Sequence, residues 1–191
     1  MTDRTSGPAR LVTNVLNPFV IFTALYALVA LSRAEAGAAA VLYIALELLA
    51  AAVVAGYVLL MRRRKRVGDF WISARAERLV PALVLLTAFV ALLAALALFD
   101  APRDLFLLTL SMGLASAAVA AITLLWKASA HCAVAGHAAA AGLLLLGPLG
   151  LVFLLALPLV VWSRVTLTAH TLSQTCAGTA VGTVFVLLFL A

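Results

Sequence analysis

The chain has 191 residues, of which 66% are hydrophobic and 10% are charged, with 13 Lys and Arg against 7 Asp and Glu. A soluble domain is about half apolar and about a quarter charged, so this composition excludes an ordinary soluble domain and a disordered chain. At about 20 apolar residues per helical crossing, we expect an all-α, polytopic transmembrane helix bundle of six or seven spans that forms a single domain over residues 1–191.

The apolar runs follow one another with short polar connections. After a polar segment at residues 1–10, they cover residues 11–32, 37–61, 79–99, 105–126, 132–162 and 172–190. The run at 132–162 is too long for one crossing, and the sequence Gly147-Pro148-Leu149-Gly150 lies at its middle. Gly and Pro together are strong turn signals, so this run is predicted to form a tight helical hairpin.

Basic residues are distributed unevenly between the two sides of these spans. One side holds Arg4, Arg10, seven Lys and Arg in the loop 62–78, Lys127 and Arg164, whereas the other side holds Arg33 and Arg103. This asymmetry predicts a protein of the plasma membrane whose basic loop 62–78 and N-terminus are cytoplasmic. The run Arg62–Arg66 is expected to bind anionic lipids, and the net charge of +6 is interpreted as topology rather than as a nucleic-acid site.

Polar residues at the ends of several apolar runs fall on the same predicted, cytoplasmic face of the membrane. Such residues usually face a bundle interior or a water-filled site. Permanent cations at one depth would repel each other without an anion, and phosphate suits the planar fork of donors on arginine. The set comprises Arg75, Arg78, Lys127, Ser129, His131, Arg164 and His170.

The spacing of these residues makes the prediction more specific. Lys127 and His131 are four residues apart and therefore share a helical face. Arg164 and His170 are six apart, so a helix break is predicted between them, with Arg164 ending one helix and His170 opening the next. Gln174 lies four residues after His170, where its amide is expected to reach back to the imidazole.

Three of these segments resemble the signatures of the type-2 phosphatidic-acid phosphatase superfamily. Ser163-Arg164, five residues and His170 resemble the third signature, and Ala128-Ser129-Ala130-His131 resembles the second, Pro-Ser-Gly-His, with Ala in place of Pro and Gly. Arg78 resembles the arginine of the first signature, although Trp71 stands where that signature has Lys. The resemblance covers roughly residues 69–191, and the family's Asp four residues after the nucleophilic His is Gln174 here.

The resemblance implies a lipid phosphate phosphatase that needs neither a metal nor a cofactor. His170 would form a covalent phospho-histidine, and His131 would act as general acid and then as general base. Arg164, Arg78 and Ser129, with Lys127 or Arg75, would stabilise the phosphate oxygens, while Gln174 would orient the nucleophile. We expect isoprenoid or polyprenyl phosphates, diphosphates or phosphosugars ahead of phosphatidic acid or phosphatidylglycerol phosphate. The oligomeric state stays open.

Two alternatives remain at this point. Gln174 and the altered second signature also fit a non-catalytic relative that binds a lipid phosphate. A prenyltransferase or lipid phosphotransferase commonly needs paired acids for Mg²⁺, and the sequence has no DDxxD or NDxxD motif.

Other polar residues inside the apolar runs receive separate predictions. Glu47 is a functional candidate because a carboxyl in a membrane span is costly, and it would either neutralise an arginine or stay protonated. His137 is expected to be a packed, hydrogen-bonded core histidine. Asn14 and Asn17 are expected to bond between helices, and Cys132 and Cys176 to serve packing.

Overall fold

The computed structural model describes residues 6–68, 77 and 79–191, and within these ranges the chain is a bundle of helices. They are α1 (Ser6–Val15), α2 (Pro18–Arg33), α3 (Gly37–Arg63), α4 (Leu79–Leu98), α5 (Arg103–Leu125), α6 (Ala130–Leu146), α7 (Leu151–Thr166) and α8 (Leu172–Leu190), with a 3-10 turn at Gly147–Gly150. The predicted all-α transmembrane bundle is therefore confirmed.

The number of spans depends on how the α6–α7 stretch is counted. Five stretches of the described chain are long and apolar enough to cross a membrane, and six if the bent pair α1–α2 is one span. One of the five covers residues 130–166, which fold back at the 3-10 turn into the predicted hairpin. If each limb of this hairpin is counted as a separate span, the number of spans rises from five or six to the predicted six or seven.

The hairpin limbs are short for membrane helices. Helix α6 has 17 residues and α7 has 16. At about 1.5 Å per residue they are about 25 and 24 Å long, less than the ~30 Å apolar layer. The limbs pack closely at the turn, because Gly142 and Gly150 bring the two backbones into contact. Gly147 permits the turn with a φ of 56°, which favours glycine.

The apolar run 11–32 is not one uninterrupted helix, because the chain breaks between α1 and α2 with a 40° bend. Asn17 caps α2: its side-chain oxygen accepts a hydrogen bond from the backbone N–H of Val20 (3.1 Å). Pro18 occupies the first turn, where its missing N–H costs nothing. The Asn17 amide nitrogen donates to the carbonyl oxygen of Asn14 (2.6 Å), so Asn17 bonds locally rather than between helices as predicted.

Helices α6 and α8 pack with their backbones in contact. Gly178 and Gly182 of α8 are four residues apart and face α6. A Cβ atom on Gly178 would collide with the carbonyl oxygen of Ser129, and one on Gly182 with that of Ala133. Small residues at this spacing let membrane helices approach closely. This contact places the beginning of α6 beside the beginning of α8.

A second set of contacts joins the helices at the opposite end of the bundle. The Arg33 Nε atom lies 2.7 Å from the Asp104 Oδ2 atom, and the Arg33 Nη2 atom donates to the carbonyl oxygen of Leu145 (3.0 Å). These two contacts connect the end of α2 to the beginning of α5 and the end of α6. Between the two ends lies an apolar core that includes Tyr26 and Met112.

Candidate functional site

A cavity of about 560 Å³ extends between the helices. Most of its wall is hydrocarbon from α3, α4 and α5. Along α5 the lining runs from Met112 to Leu124, about 18 Å at ~1.5 Å per residue. The cavity is therefore a long apolar chamber, and its basic side chains are grouped where α5, α6, α7 and α8 begin or end.

We call this group the basic end; it consists of Lys127, His131, Arg164 and His170, all of which line the cavity. They come from two separate connections. At the α5–α6 connection, Lys127 precedes α6 and His131 lies in its first turn; at the α7–α8 connection, Arg164 lies in the last turn of α7 and His170 precedes α8. The structure thus brings together four of the seven predicted polar residues.

The basic end is largely withdrawn from solvent and lipid. The exposed fractions of His131, Arg164 and His170 are 6%, 7% and 9%. The His131 ring lies within electrostatic range of both the Arg164 guanidinium and the His170 ring. Burial weakens the screening between charged groups, so an anion in this position would interact strongly with the surrounding cations.

The helix break between Arg164 and His170 is confirmed, and its geometry is specific. Helix α7 ends in a Schellman motif, in which the Ala169 N–H donates to the Arg164 carbonyl oxygen (3.1 Å) and the Thr168 N–H to that of Val165 (2.9 Å). The His170 N–H also donates to the Arg164 carbonyl oxygen (3.3 Å). Thr168 holds the left-handed position with a φ of 51°.

The predicted contact between Gln174 and the His170 ring is wrong. The Gln174 Oε1 atom accepts a hydrogen bond from the backbone N–H of Thr171 (3.2 Å), and the Thr171 hydroxyl accepts one from the Gln174 N–H (3.3 Å). This pair is a capping box at the beginning of α8. The carboxamide therefore satisfies the helix terminus, and it fixes the backbone that immediately follows His170.

Ser129, which is also predicted to bind phosphate, caps a helix and is not among the residues that line the cavity. It is fully buried, and its hydroxyl oxygen accepts from the backbone N–H of Cys132 (3.4 Å) at the beginning of α6. Its own N–H donates to the carbonyl oxygen of Gln174 (3.2 Å). Ser129 thus joins the beginnings of α6 and α8, the two helices that carry or follow His131 and His170.

Arg75 and Arg78, the other two predicted phosphate ligands, lie outside the described residues. Close to them in sequence, the Glu77 Oε2 atom accepts a hydrogen bond from the backbone N–H of Gly68 (3.0 Å). The five residues Arg62–Arg66 are exposed, as a segment that contacts lipid headgroups requires.

Glu47 lines the same cavity as the basic end. Its partner, which the sequence did not indicate, is Thr23, whose hydroxyl lies 2.9 Å from one carboxyl oxygen and 3.0 Å from the other. The neighbouring Phe22 ring lies 6.3 Å from the His137 ring, and His137 is six residues, about 9 Å, further along α6 than His131. Glu47 is therefore deeper in the bundle than the basic end.

His137 is the packed core histidine that the sequence predicted. It is fully buried, and its Nε2 atom lies 2.9 Å from the Ser111 hydroxyl oxygen.

Cys132 is buried in the core, whereas Cys176 is exposed. Among the residues described, no group of three or more His, Cys, Asp or Glu side chains could hold a metal ion.

Two supporting contacts near the site were not predicted. The Thr13 hydroxyl of α1 donates to the Ser163 hydroxyl of α7 (3.0 Å), directly beside Arg164. The other is the Gly178–Gly182 contact, whose four-residue glycine spacing is visible in the sequence.

Comparison with protein-family models, with curated proteins and with solved structures finds no match to this chain.

Proposed function

We propose that this chain is a membrane lipid phosphate phosphatase that releases phosphate from an isoprenoid or polyprenyl phosphate, diphosphate or phosphosugar. One observation carries the proposal: basic side chains from two separate connections, α5–α6 and α7–α8, line one end of a cavity whose remaining wall is mostly hydrocarbon. A lipid phosphate has the complementary features, an anionic head and an apolar tail. Most ligand sites are likewise apolar with a few converging polar groups.

The proposed reaction has two steps, as the resemblance to the phosphatase signatures implies. In the first, a ring nitrogen of His170 attacks phosphorus, the bond from phosphorus to the lipid oxygen breaks, and His131 gives a proton to the departing oxygen. In the second, His131 takes a proton from water, whose oxygen attacks phosphorus. The phosphorus–nitrogen bond breaks, and inorganic phosphate leaves with His170 restored.

The fixed cations would supply the electrostatic part of catalysis. Negative charge spreads over the three equatorial oxygens of a phosphoryl group during transfer, and donors held in place stabilise it most. Arg164 is well placed for this role, because its backbone is fixed by the Schellman motif and its side chain is buried beside the two histidines. Lys127 contributes a second positive charge at the same end of the cavity.

The charge asymmetry of the chain supports a site at the cytoplasmic face of the plasma membrane. The basic end lies on the same side of the bundle as the exposed run Arg62–Arg66, and cytoplasmic segments of membrane proteins are enriched in Lys and Arg. A site on this side suits an intermediate made inside the cell better than a carrier recycled from the outer face.

A second candidate function is binding of a lipid phosphate without hydrolysis. The observation that favours it is the capping role of Gln174, since an amide committed to Thr171 supplies no charge beside His170. In a catalytic triad the carboxylate stabilises the charged imidazole that forms during the reaction, which an amide does not do.

Phosphate release separates these candidates. The purified protein in detergent is incubated with a panel of lipid phosphates and a chelator, and inorganic phosphate is measured. We expect release by the wild type and by Arg103→Ala, an exposed arginine at the opposite end, and none by His170→Ala. Release by His170→Ala equal to that of the wild type would refute the mechanism. Saturable binding without any release would favour the second candidate.

A further inference from the structure

A groove of about 490 Å³ lies on the outside of the bundle between α3 and α4. Apart from Thr87, its lining side chains are entirely hydrocarbon. Several of them are widely exposed: Leu49 by 61%, Val53 by 54% and Leu83 by 53%. In a chain that crosses a membrane, exposed apolar side chains of this kind face the hydrocarbon tails of lipids.

The groove and the cavity share a thin wall. Ala50 of α3 and Ala88 and Leu92 of α4 line both spaces. Two of these three residues are alanines, so over part of the shared wall the side chains are no larger than methyl groups. We call the position of Ala50 and Ala88 the seam. Leu92 closes its deeper part and is buried, with an exposed fraction of 4%.

The wall on the side of α2 and α5 is built differently. Phe22 and Met112 line the cavity there, and their exposed fractions are 7% and 1%. The Phe22 ring also contacts the Phe89 ring, with a centroid distance of 6.0 Å. A tail crossing that wall would have to displace packed core side chains, whereas the seam needs only a small separation of two helices at alanines.

We propose that the tail of the lipid phosphate enters the cavity sideways from the bilayer, through the seam between α3 and α4. This inference rests on the proposed function, because the occupant is the lipid whose phosphate binds at the basic end. Helix α3 ends and α4 begins on the side of the basic end. A lipid that slides between them keeps its tail in hydrocarbon and its charged head at the membrane surface, where burial costs least.

Bulky residues at the seam test this route. Ala50→Trp and Ala88→Trp are compared with Ala52→Trp and Val90→Trp, which lie on the same helices, are exposed and line neither space. The measurement is the ratio of kcat/KM for farnesyl phosphate in vesicles to kcat/KM for p-nitrophenyl phosphate in water. We expect the seam variants to lower this ratio of kcat/KM values about tenfold or more. The control variants should keep a ratio close to that of the wild type.

Folded variants with an unchanged ratio would overturn the seam as the entry route. Gel filtration and thermal unfolding establish that each variant is folded. If tryptophan prevents folding, the series Ala50→Val and Ala50→Leu replaces it. The ratio should then fall stepwise with side-chain volume.

A second readout does not depend on turnover. Hexadecyl phosphate with a diazirine at the tail end is photolysed with the protein, and labelled residues are identified by mass spectrometry. In the wild type, label should reach Ala51 and Leu85, which line the cavity but not the groove. In Ala50→Trp, label should fall at both residues and remain at Leu49. Labelling in this pattern without phosphate release would refute the phosphatase proposal alone, whereas equal cavity labelling in Ala50→Trp would refute the seam.

Discussion

The backbone N–H of His170 donates to the carbonyl oxygen of Arg164 at 3.3 Å, so the main chain ties these two residues of the basic end to each other. The same carbonyl also accepts the N–H of Ala169 at 3.1 Å. The relative positions of the Arg164 and His170 backbones are thus set by the end of α7. Preorganisation of this kind is what electrostatic stabilisation of a phosphoryl group requires.

Thr168 makes this geometry possible at a cost in stability. It is a β-branched residue in the left-handed region, which is a strained conformation for any residue except glycine. We predict that Thr168→Gly raises the free energy of unfolding by about 1 kcal/mol, because glycine adopts this φ without the steric cost. Thermal unfolding in detergent measures the effect.

The matched control for this substitution is Thr166→Gly, two residues earlier and within α7. Glycine inside a helix lowers stability, here by up to about 1 kcal/mol. A Thr168→Gly variant that is less stable than the wild type would show that the turn is not strained.

The glycines of α8 should be intolerant of any side chain. A Cβ on Gly182 would collide with the backbone of α6, so Gly182→Ala must push α6 and α8 apart. We predict a loss of about 3 kcal/mol in unfolding free energy and a parallel loss of phosphate release, because His131 and the segment before α8 would separate.

Gly56→Ala provides the comparison for this prediction, since nothing lies within 4 Å of a Cβ at that position of α3. It should gain stability slightly, by up to about 1 kcal/mol, through higher helix propensity. Equal stability of Gly182→Ala and Gly56→Ala would contradict the close packing of α6 and α8.

Placing a carboxylate at residue 174, as in the phosphatases whose signatures the chain resembles, should change the rate of the proposed reaction. We predict that Gln174→Asp raises kcat about tenfold, because a carboxylate four residues after His170 would stabilise the charged imidazole electrostatically even where the side chain caps α8. Ser173→Asp is the control, since it adds the same charge to the first turn of α8 at an exposed position. If both variants have the same kcat, any increase over the wild type comes from the added charge at the helix N-terminus and not from stabilisation of the His170 imidazole.

The two proposed roles of His131 can be separated by the leaving group. p-Nitrophenolate departs without a proton, whereas a lipid alkoxide needs one. His131→Ala should therefore slow phosphorylation of His170 far more with farnesyl phosphate than with p-nitrophenyl phosphate, and general acid catalysis commonly contributes about 10²–10⁴-fold. With p-nitrophenyl phosphate, acid-labile phospho-enzyme should accumulate, which rapid quenching with a labelled substrate would detect. Equal slowing with both substrates would contradict the role of His131 as general acid.

The fold could be predicted from composition and turn chemistry, with one informative failure. The Gly-Pro turn correctly predicted the α6–α7 hairpin, because little else competes with such a strong local signal. The break between α1 and α2 does not follow from the apolar pattern, because apolar residues dominate on both sides of Asn17 and Pro18. Asn17 and Pro18 are a helix cap and a first-turn residue, and this local chemistry overrides an apolar run.

The sequence predicts that the basic residues of the site lie close together, but it does not predict the roles of the neutral polar residues near them. Lys127, His131, Arg164 and His170 had to share one region because each lies at a helix end on one side of the bundle. Ser129 and Gln174 occupy helix beginnings, where backbone N–H groups need acceptors, and both side chains serve that need first. A resemblance to a signature concerns which residue types are present, whereas the caps depend on where each helix begins.

The short limbs of the α6–α7 hairpin have a consequence for the surrounding membrane. Limbs about 5 Å shorter than a typical apolar layer create a hydrophobic mismatch, which a bilayer relieves by thinning locally. The thinned region would draw headgroups and water toward the ends of α6 and α7, where His131 and Arg164 lie. Membrane thickness would then govern how readily a phosphate reaches them, so that reconstitution into lipids of increasing chain length should progressively suppress turnover.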